Sequence, residues 1–247
     1  MEDAMGESKR AVIVVGAGEG TGAAVAKRFA REGLIACVAR RSAEALSPLV
    51  EEIEAAGGQA RAFAVDATDE DAVVELFNTV ESEVGEIAVA VYNAASIAIA
   101  PIVETSTETY RTVWEVSALG AFLVGREAAK RMLPRGSGTI LFTGATAALR
   151  GGARFGAFAG GKHAQRALAQ SMARELGPQG IHVAHIIIDG IIDAPRSRQR
   201  MPQMFADKAA DDVLDPDAIA QVYWQLAQQP RSAWTFEIDL RPARERW

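Results

Sequence analysis

The chain has 247 residues, 49% of them hydrophobic and 23% charged, which suffices for one sizeable globular core and is read as a single domain over residues 1–247. A formal net charge of -6 and a pI near 5.2 exclude a general nucleic-acid surface and a basic membrane-binding face, while leaving room for an anion held locally. The single cysteine, Cys37, lies inside the apolar run 34–39, so no internal disulfide can form, and a buried thiol in a reducing cytoplasm is the expectation.

Along the chain, the polar segment 1–10 reads as a flexible tail without the apolar core of a signal peptide. Short apolar runs at 11–15, 34–39, 60–65, 87–92, 139–143 and 181–188 predict strands, most with too little polar alternation for a half-exposed sheet. Helical patterns fall between them at 20–32, 43–57, 69–84, 106–133 and 153–176. Asp69 and Thr107 are placed as N-caps, and Gly57, Gly85 and Gly177 as stops. This β-α-β-α order predicts an α/β fold: a Rossmann-like, doubly wound parallel sheet with helices on both faces. The most apolar long stretch, 87–103, is broken by Tyr92, Asn93, Ser96 and Pro101, so no membrane span is expected. Residues 193–211 carry Pro195, Pro202, Arg196, Arg198 and Arg200, and read as a mobile lid whose arginines hint at an acidic substrate. Asp215-Pro216-Asp217 then opens a helix, and 233–238 supplies a last strand.

The stretch Gly16-Ala17-Gly18-Glu19-Gly20-Thr21-Gly22 joins the first strand to the first helix, where glycines allow close backbone approach and the helix N-terminus offers unpaired amides to a pyrophosphate. Arg40 and Arg41 follow the second strand, where an NAD-selective site would place an acid for the ribose hydroxyls. Guanidinium suits a 2′-phosphate, so NADP(H) is expected over NAD(H). Glu19 would repel that phosphate unless it turns outward. Asp66, with Ala67 after it, ends the third strand and could accept from an adenine amino group or cap a turn. Asn93-Ala94-Ala95 ends the fourth and is small enough to let a ribose pass.

In these pieces the chain resembles the short-chain dehydrogenase/reductase family over nearly its full length: the spacing of Gly16, Gly20 and Gly22, Asp66, Asn93-Ala94-Ala95, Lys162, and Asp189-Gly190 where Pro-Gly is usual. The resemblance implies an oxidoreductase with a nicotinamide cofactor, contacts from Gly190 and Ile192 included, and a homodimer or homotetramer. The family's active site combines Asn, Ser, Tyr and Lys. Here the Asn slot is Ser117, the Ser slot Ala145 and the Tyr slot Phe158, and only Lys162 survives. A subset of the family is similar in having Phe before the retained Lys.

Carbonyl reduction needs a hydride donor, a group that polarises the carbonyl and a proton for the developing alkoxide. Lys162 could hold the ribose and, with water, donate. Thr143 and Thr146 flank the vacant Ser slot, where either hydroxyl could orient a substrate or be satisfied by local backbone. His163 faces away from Lys162; His182 and His185 lie on opposite faces of one strand, so at most one points toward the cofactor. Among the phenols Tyr92, Tyr110 and Tyr223, only Tyr92 ends a strand at the ligand edge. No His/Cys/Asp spacing suggests a metal. Two readings follow: an oxidoreductase acting on a small carbonyl or alcohol with an atypical site, or an NADP(H)-binding sensor or partner subunit that lost hydride chemistry.

Overall fold

In the computed structural model, residues 9–200 and 202–245 are described. In chain order the elements are β1 Arg10–Val15, α1 Thr21–Arg31, β2 Ile35–Arg40, α2 Ser47–Ala55, β3 Gln59–Ala64, α3 Glu70–Thr79, β4 Glu86–Tyr92, α4 Thr107–Trp114, α5 Gly120–Met132, β5 Gly138–Thr143, α6 Gly156–Leu176, β6 Ile181–Ile188, α7 Pro195–Arg200, α8 Pro216–Ala227 and β7 Glu237–Leu240. The seven strands form one sheet in the order β3-β2-β1-β4-β5-β6-β7, every pair parallel. The predicted doubly wound α/β architecture is therefore present. Its order reverses between β1 and β4, and in such sheets the crevice at the carboxyl ends of the strands takes the ligand.

Alternation along β1 explains the two layers. Ala11, Ile13 and Val15 face a core shared with α3, α5 and α6, while Val12 and Val14 face one shared with α1, α2 and α8. Both faces are covered, which is why the strands read as continuous apolar runs. Cys37 is buried in the first of these cores, and its thiol is pushed up to about 12 by desolvation, so it is an inert packing group.

Several boundaries differ from expectation for local reasons. Residues 1–8 of the predicted tail lie outside the described residues, and Arg10 already belongs to β1. Asp69 caps α3 as predicted, accepting from the Ala72 amide, but the cap of α4 is Ser106, not Thr107, through the Thr109 amide. The helix expected at 106–133 is α4 and α5 joined by a π-turn at Glu115–Leu119, and a second π-turn, Val80–Val84, extends α3. Residues 153–155 form a turn before α6, with Arg154 at φ +71. The chain leaves α6 through a 3-10 turn, Gly177–Gln179, so the left-handed stop is Gly180 at φ +86. β7 starts at Glu237 instead of 233, because Gln229 folds the preceding residues into a turn by accepting from the Thr235 amide and the Trp234 indole. Residues 193–211 are less irregular than predicted. They contain α7, and their stems are zipped by the Ile192–Leu214 bridge. No helix among the described residues is long and apolar enough to cross a membrane.

Candidate active site

The glycine loop and the loop after β4 meet at the switch point. A Cβ on Gly16, whose φ is +91, would lie 2.4 Å from the Ala94 amide nitrogen, and one on Gly22 would lie 2.4 Å from the Gly16 carbonyl. These positions are glycine because two backbone segments touch there. The Asn93 amide closes the contact by donating to the Gly16 carbonyl at 2.8 Å. Gly18, by contrast, faces open space, and Gly20 approaches Ala194 and Ile192 at the base of segment 193–211. The Thr21 hydroxyl is buried without a partner at the start of α1. An open glycine cradle, an orphaned hydroxyl and a helix N-terminus together fit a dinucleotide pyrophosphate. Glu19 in this loop is exposed.

At the ends of β2 and β3, Arg40 and Arg41 flank Asp66. Arg40 makes one long bond to the Ala45 carbonyl at 3.4 Å, and Arg41 is exposed. The Asp66 carboxylate accepts from the Thr68 amide at 2.9 Å and the Thr68 hydroxyl at 2.7 Å, which hold it below the usual carboxylate range with help from Arg41. Of its two expected roles, Asp66 fills that of the turn cap, and it is exposed. Ala67 next to it is buried against the π-turn side of α5, its carbonyl 3.0 Å from where a Gly120 Cβ would be. Gly190, at φ +153, sits under Pro242.

α6 carries Lys162 and Phe158, two of the four positions set against the family's active site. Lys162 is 2% exposed, and its Nζ donates to the Thr143 carbonyl at 2.7 Å and to Gln165 Oε1 at 2.9 Å. Desolvation pulls its pKa down to about 7. The Phe158 ring lies with its centroid 6.0 Å from Nζ, in a small apolar cluster with Val113 and Ala157, against which Ala98, Ala145 and Ala147 pack. Ser117, in the π-turn, is fully buried against Gly161, and its hydroxyl has no partner. The π-turn thus places a small polar side chain beside α6.

The other candidates are occupied. The Thr143 hydroxyl pairs with the Tyr223 hydroxyl at 2.8 Å, and Thr146 donates to Asp189, which is ion-paired with Arg241 at 3.0 Å. Neither threonine is satisfied by local backbone as expected; each is held by a distant side chain. Tyr92 is fully buried, donates to the Val116 carbonyl, and is raised by desolvation, so it is not a relocated acid. Tyr223 is buried behind Thr143, and Tyr110 sits on the outer side of α4 near Gly160. His163 is exposed with Nδ1 on the Ala159 carbonyl. His182 stacks on Trp234 and bonds the Thr235 carbonyl. His185 points its Nδ1 at Glu237, 3.0 Å away, and burial drives it down to about 4 despite that carboxylate. Arg166 grips Glu237 through two bonds of 2.6 and 2.7 Å. The sequence reading missed Gln165, whose signal was a polar residue three positions after Lys162 on the same helix, and the Arg166–Glu237–His185 set, in which Glu237 lies 71 and 52 residues from its two partners.

A sequence profile of the short chain dehydrogenases matches residues 10–204. The chain is 33% identical over 232 residues to the short-chain dehydrogenase/reductase eriH of Hericium erinaceus, covering 90% of this chain and 92% of that one. It is 34% identical over 227 residues to the 1-deoxy-11-beta-hydroxypentalenate dehydrogenase of Streptomyces exfoliatus, covering 90% and 81%. Among solved structures, a short-chain dehydrogenase from Rhodopseudomonas palustris is 46% identical with a TM-score of 0.82, covering 94% of this chain and 98% of that one. A metagenomic short-chain oxidoreductase solved in complex with NADP is 26% identical with a TM-score of 0.82, covering 96% and 98%. With the glycine loop, the switch-point cleft and Lys162 in place, the chain belongs to the short-chain dehydrogenase/reductase family.

Proposed function

We propose that the protein is an NADP(H)-dependent oxidoreductase acting on a small carbonyl or alcohol, with Lys162 and a water in place of the missing tyrosine. The observation that carries this reading is Lys162 itself: a buried amine held by two acceptors beside an apolar pocket, below an intact glycine loop. Glu19, Gly20, Thr21 and Gly22 would line the pyrophosphate, Asn93 and Ala94 the ribose side, and Gly190 and Ile192 the nicotinamide end. The bound nicotinamide supplies or accepts the hydride. Near neutrality Lys162 is poised to give or take a proton, because its pKa lies close to the working pH. Phe158, Ala145 and Ala147 make the reacting face apolar and suit an apolar substrate. The acidic substrate suggested by the arginines loses support at Arg198, which is paired with Asp193 and lies over Phe205.

Arg40, weakly engaged, and Arg41, exposed, support NADP(H) over NAD(H), as does the NADP complex of the metagenomic relative. Replacing Arg40 with Ala should weaken NADP binding by about 1.5–3 kcal/mol and leave NAD binding nearly unchanged, as read by titration calorimetry. Equal losses for both cofactors would refute the assignment. A homodimer or homotetramer in the cytoplasm completes this reading.

The orphaned Ser117 hydroxyl and the aliphatic Ala145 favour a second reading, an NADP(H)-binding sensor or partner subunit without hydride transfer. NADPH oxidation across a carbonyl panel, run beside a direct binding titration, separates the two. Turnover on any carbonyl supports the oxidoreductase; tight binding without turnover supports the sensor.

A further inference from the structure

We propose that Gln165 is the positioning residue of Lys162: with the Thr143 carbonyl it accepts two N–H bonds of the amine, the full number that a neutral amine has, and the third N–H of the charged form is left unpaired. The bonds are 2.7 Å to Thr143 O and 2.9 Å to Gln165 Oε1. Two acceptors satisfy the two N–H groups of an amine; an ammonium has a third, for which the described residues offer no acceptor. Gln165 is itself fully buried, and its Nε2 has no partner. An apolar side chain would fill that place without stranding an amide, so what the glutamine gives the site is its oxygen on Lys162. Gly161, next to Lys162, brings α6 so close to the π-turn that a Cβ there would meet Ser117 Cβ at 2.7 Å.

No carboxylate faces the amine. Among the described residues no ion pair joins Lys162 to a carboxylate: Glu127 of α5 is held by Arg126, Lys130 and Arg131, Glu237 of β7 by Arg166 and His185, and Asp189 by Arg241. His185 is neutral above about pH 4 and already tied to Glu237, which Arg166 balances. Desolvation is thus unopposed by charge, in keeping with a Lys162 pKa near 7.

The inference rests on the reading of Lys162 as the surviving polar group of the site, and its test uses no substrate, so absence of turnover leaves it standing or falling on its own. The experiment is a ¹³C-NMR titration of the cofactor-free protein labelled at lysine Cε, with the Lys162 resonance assigned by its loss in Lys162→Met. The wild type should titrate near pH 7. Gln165→Glu, which sets a carboxylate beside the nitrogen, should raise the midpoint to about 9 or above. Gln165→Met, of similar length but without the acceptor, should lower it below the wild-type value, because an ammonium loses more than an amine when a hydrogen bond goes. Opposite displacements by two substitutions at one buried position are not what mere loosening of the helix produces. A wild-type midpoint above 10, or displacements that are absent or of the same sign, would overturn the proposal; if one variant fails to fold, the direction of the other's displacement from the wild type still decides it.

Discussion

Phe158 has the ring of a tyrosine without its proton, and it is nearly buried in an apolar cluster one helical turn from Lys162. Phe158→Tyr restores a phenol of reference pKa about 10, whose ionised form a charged Lys162 would stabilise. General acid catalysis typically contributes about 10²- to 10⁴-fold, so part of that gain should appear in kcat/KM with a competent carbonyl substrate. Ala145 limits it, because a methyl cannot help fix the carbonyl oxygen, and Phe158→Tyr with Ala145→Ser should exceed either single change. A wild type that turns over rapidly and is slowed by Phe158→Tyr would mean that the slot is reused and that Lys162 or a water is the acid. At this scale the sequence was legible where a residue type has one use: the glycines at 16 and 22, where backbone segments touch, and Lys162, which is buried on α6. It was not legible where a hydroxyl or imidazole must choose among partners. Thr143, Thr146 and His185 find Tyr223, Asp189 and Glu237 by folding together strands and helices 43 to 80 residues apart.

The strands of the sheet could be read almost to the residue, since burial on both faces demands continuous apolar runs, and the register then places Val15 beside Tyr92 at the switch point. The helices were harder. A π-turn keeps the helical pattern of the sequence while adding a residue to the turn, so the kink that sets Ser117 against Gly161 leaves no mark in periodicity. β7 was misplaced because an aromatic pair, Trp234 and Phe236, mimics a strand that Gln229 instead turns. Segment 193–211 is the element with the most direct test. It is mostly exposed, α7 buries no residue, and its Asp193–Arg198 pair has one side chain more than half exposed, so the pair contributes little. Its base, however, touches Gly20 of the glycine loop through Ala194 and Ile192. If the segment closes over the cofactor, saturating NADPH should slow proteolysis within it at least several-fold, with cleavage elsewhere unaffected. Unchanged cleavage would remove the lid.

A buried amine is a liability for the molecule as a whole. The Lys162 pKa is about 7 folded against about 10.4 in an open chain, so between those values the unfolded state binds more protons and stability rises with pH. The penalty is complete below pH 7, on the order of 4 kcal/mol, and shrinks as pH approaches 10. Lys162→Met should therefore raise the Tm of the cofactor-free protein, more at pH 6 than at pH 9, while weakening NADPH binding at both; a Tm gain that is absent or independent of pH would contradict the buried charge. Assembly is the remaining property of the whole. Val113 on α4, Ala121 and Val124 on α5 and Ala159 on α6 turn inward and serve the subunit's own core. Others take their place outside: Tyr110 and Trp114 on α4 and Phe122 on α5 are each about two-fifths exposed, and Ile102 and Val103 just before α4 are 70% and 90% exposed. Large aromatics left in water on successive helices are what a subunit interface buries. A two-fold contact would use each twice, once from either copy, so one charge there is doubled. Light scattering at micromolar concentration should accordingly give a dimer or tetramer, and Trp114→Glu with Phe122→Glu should shift it to monomer without lowering the helix content; a wild-type monomer would leave this face without a partner and remove the prediction.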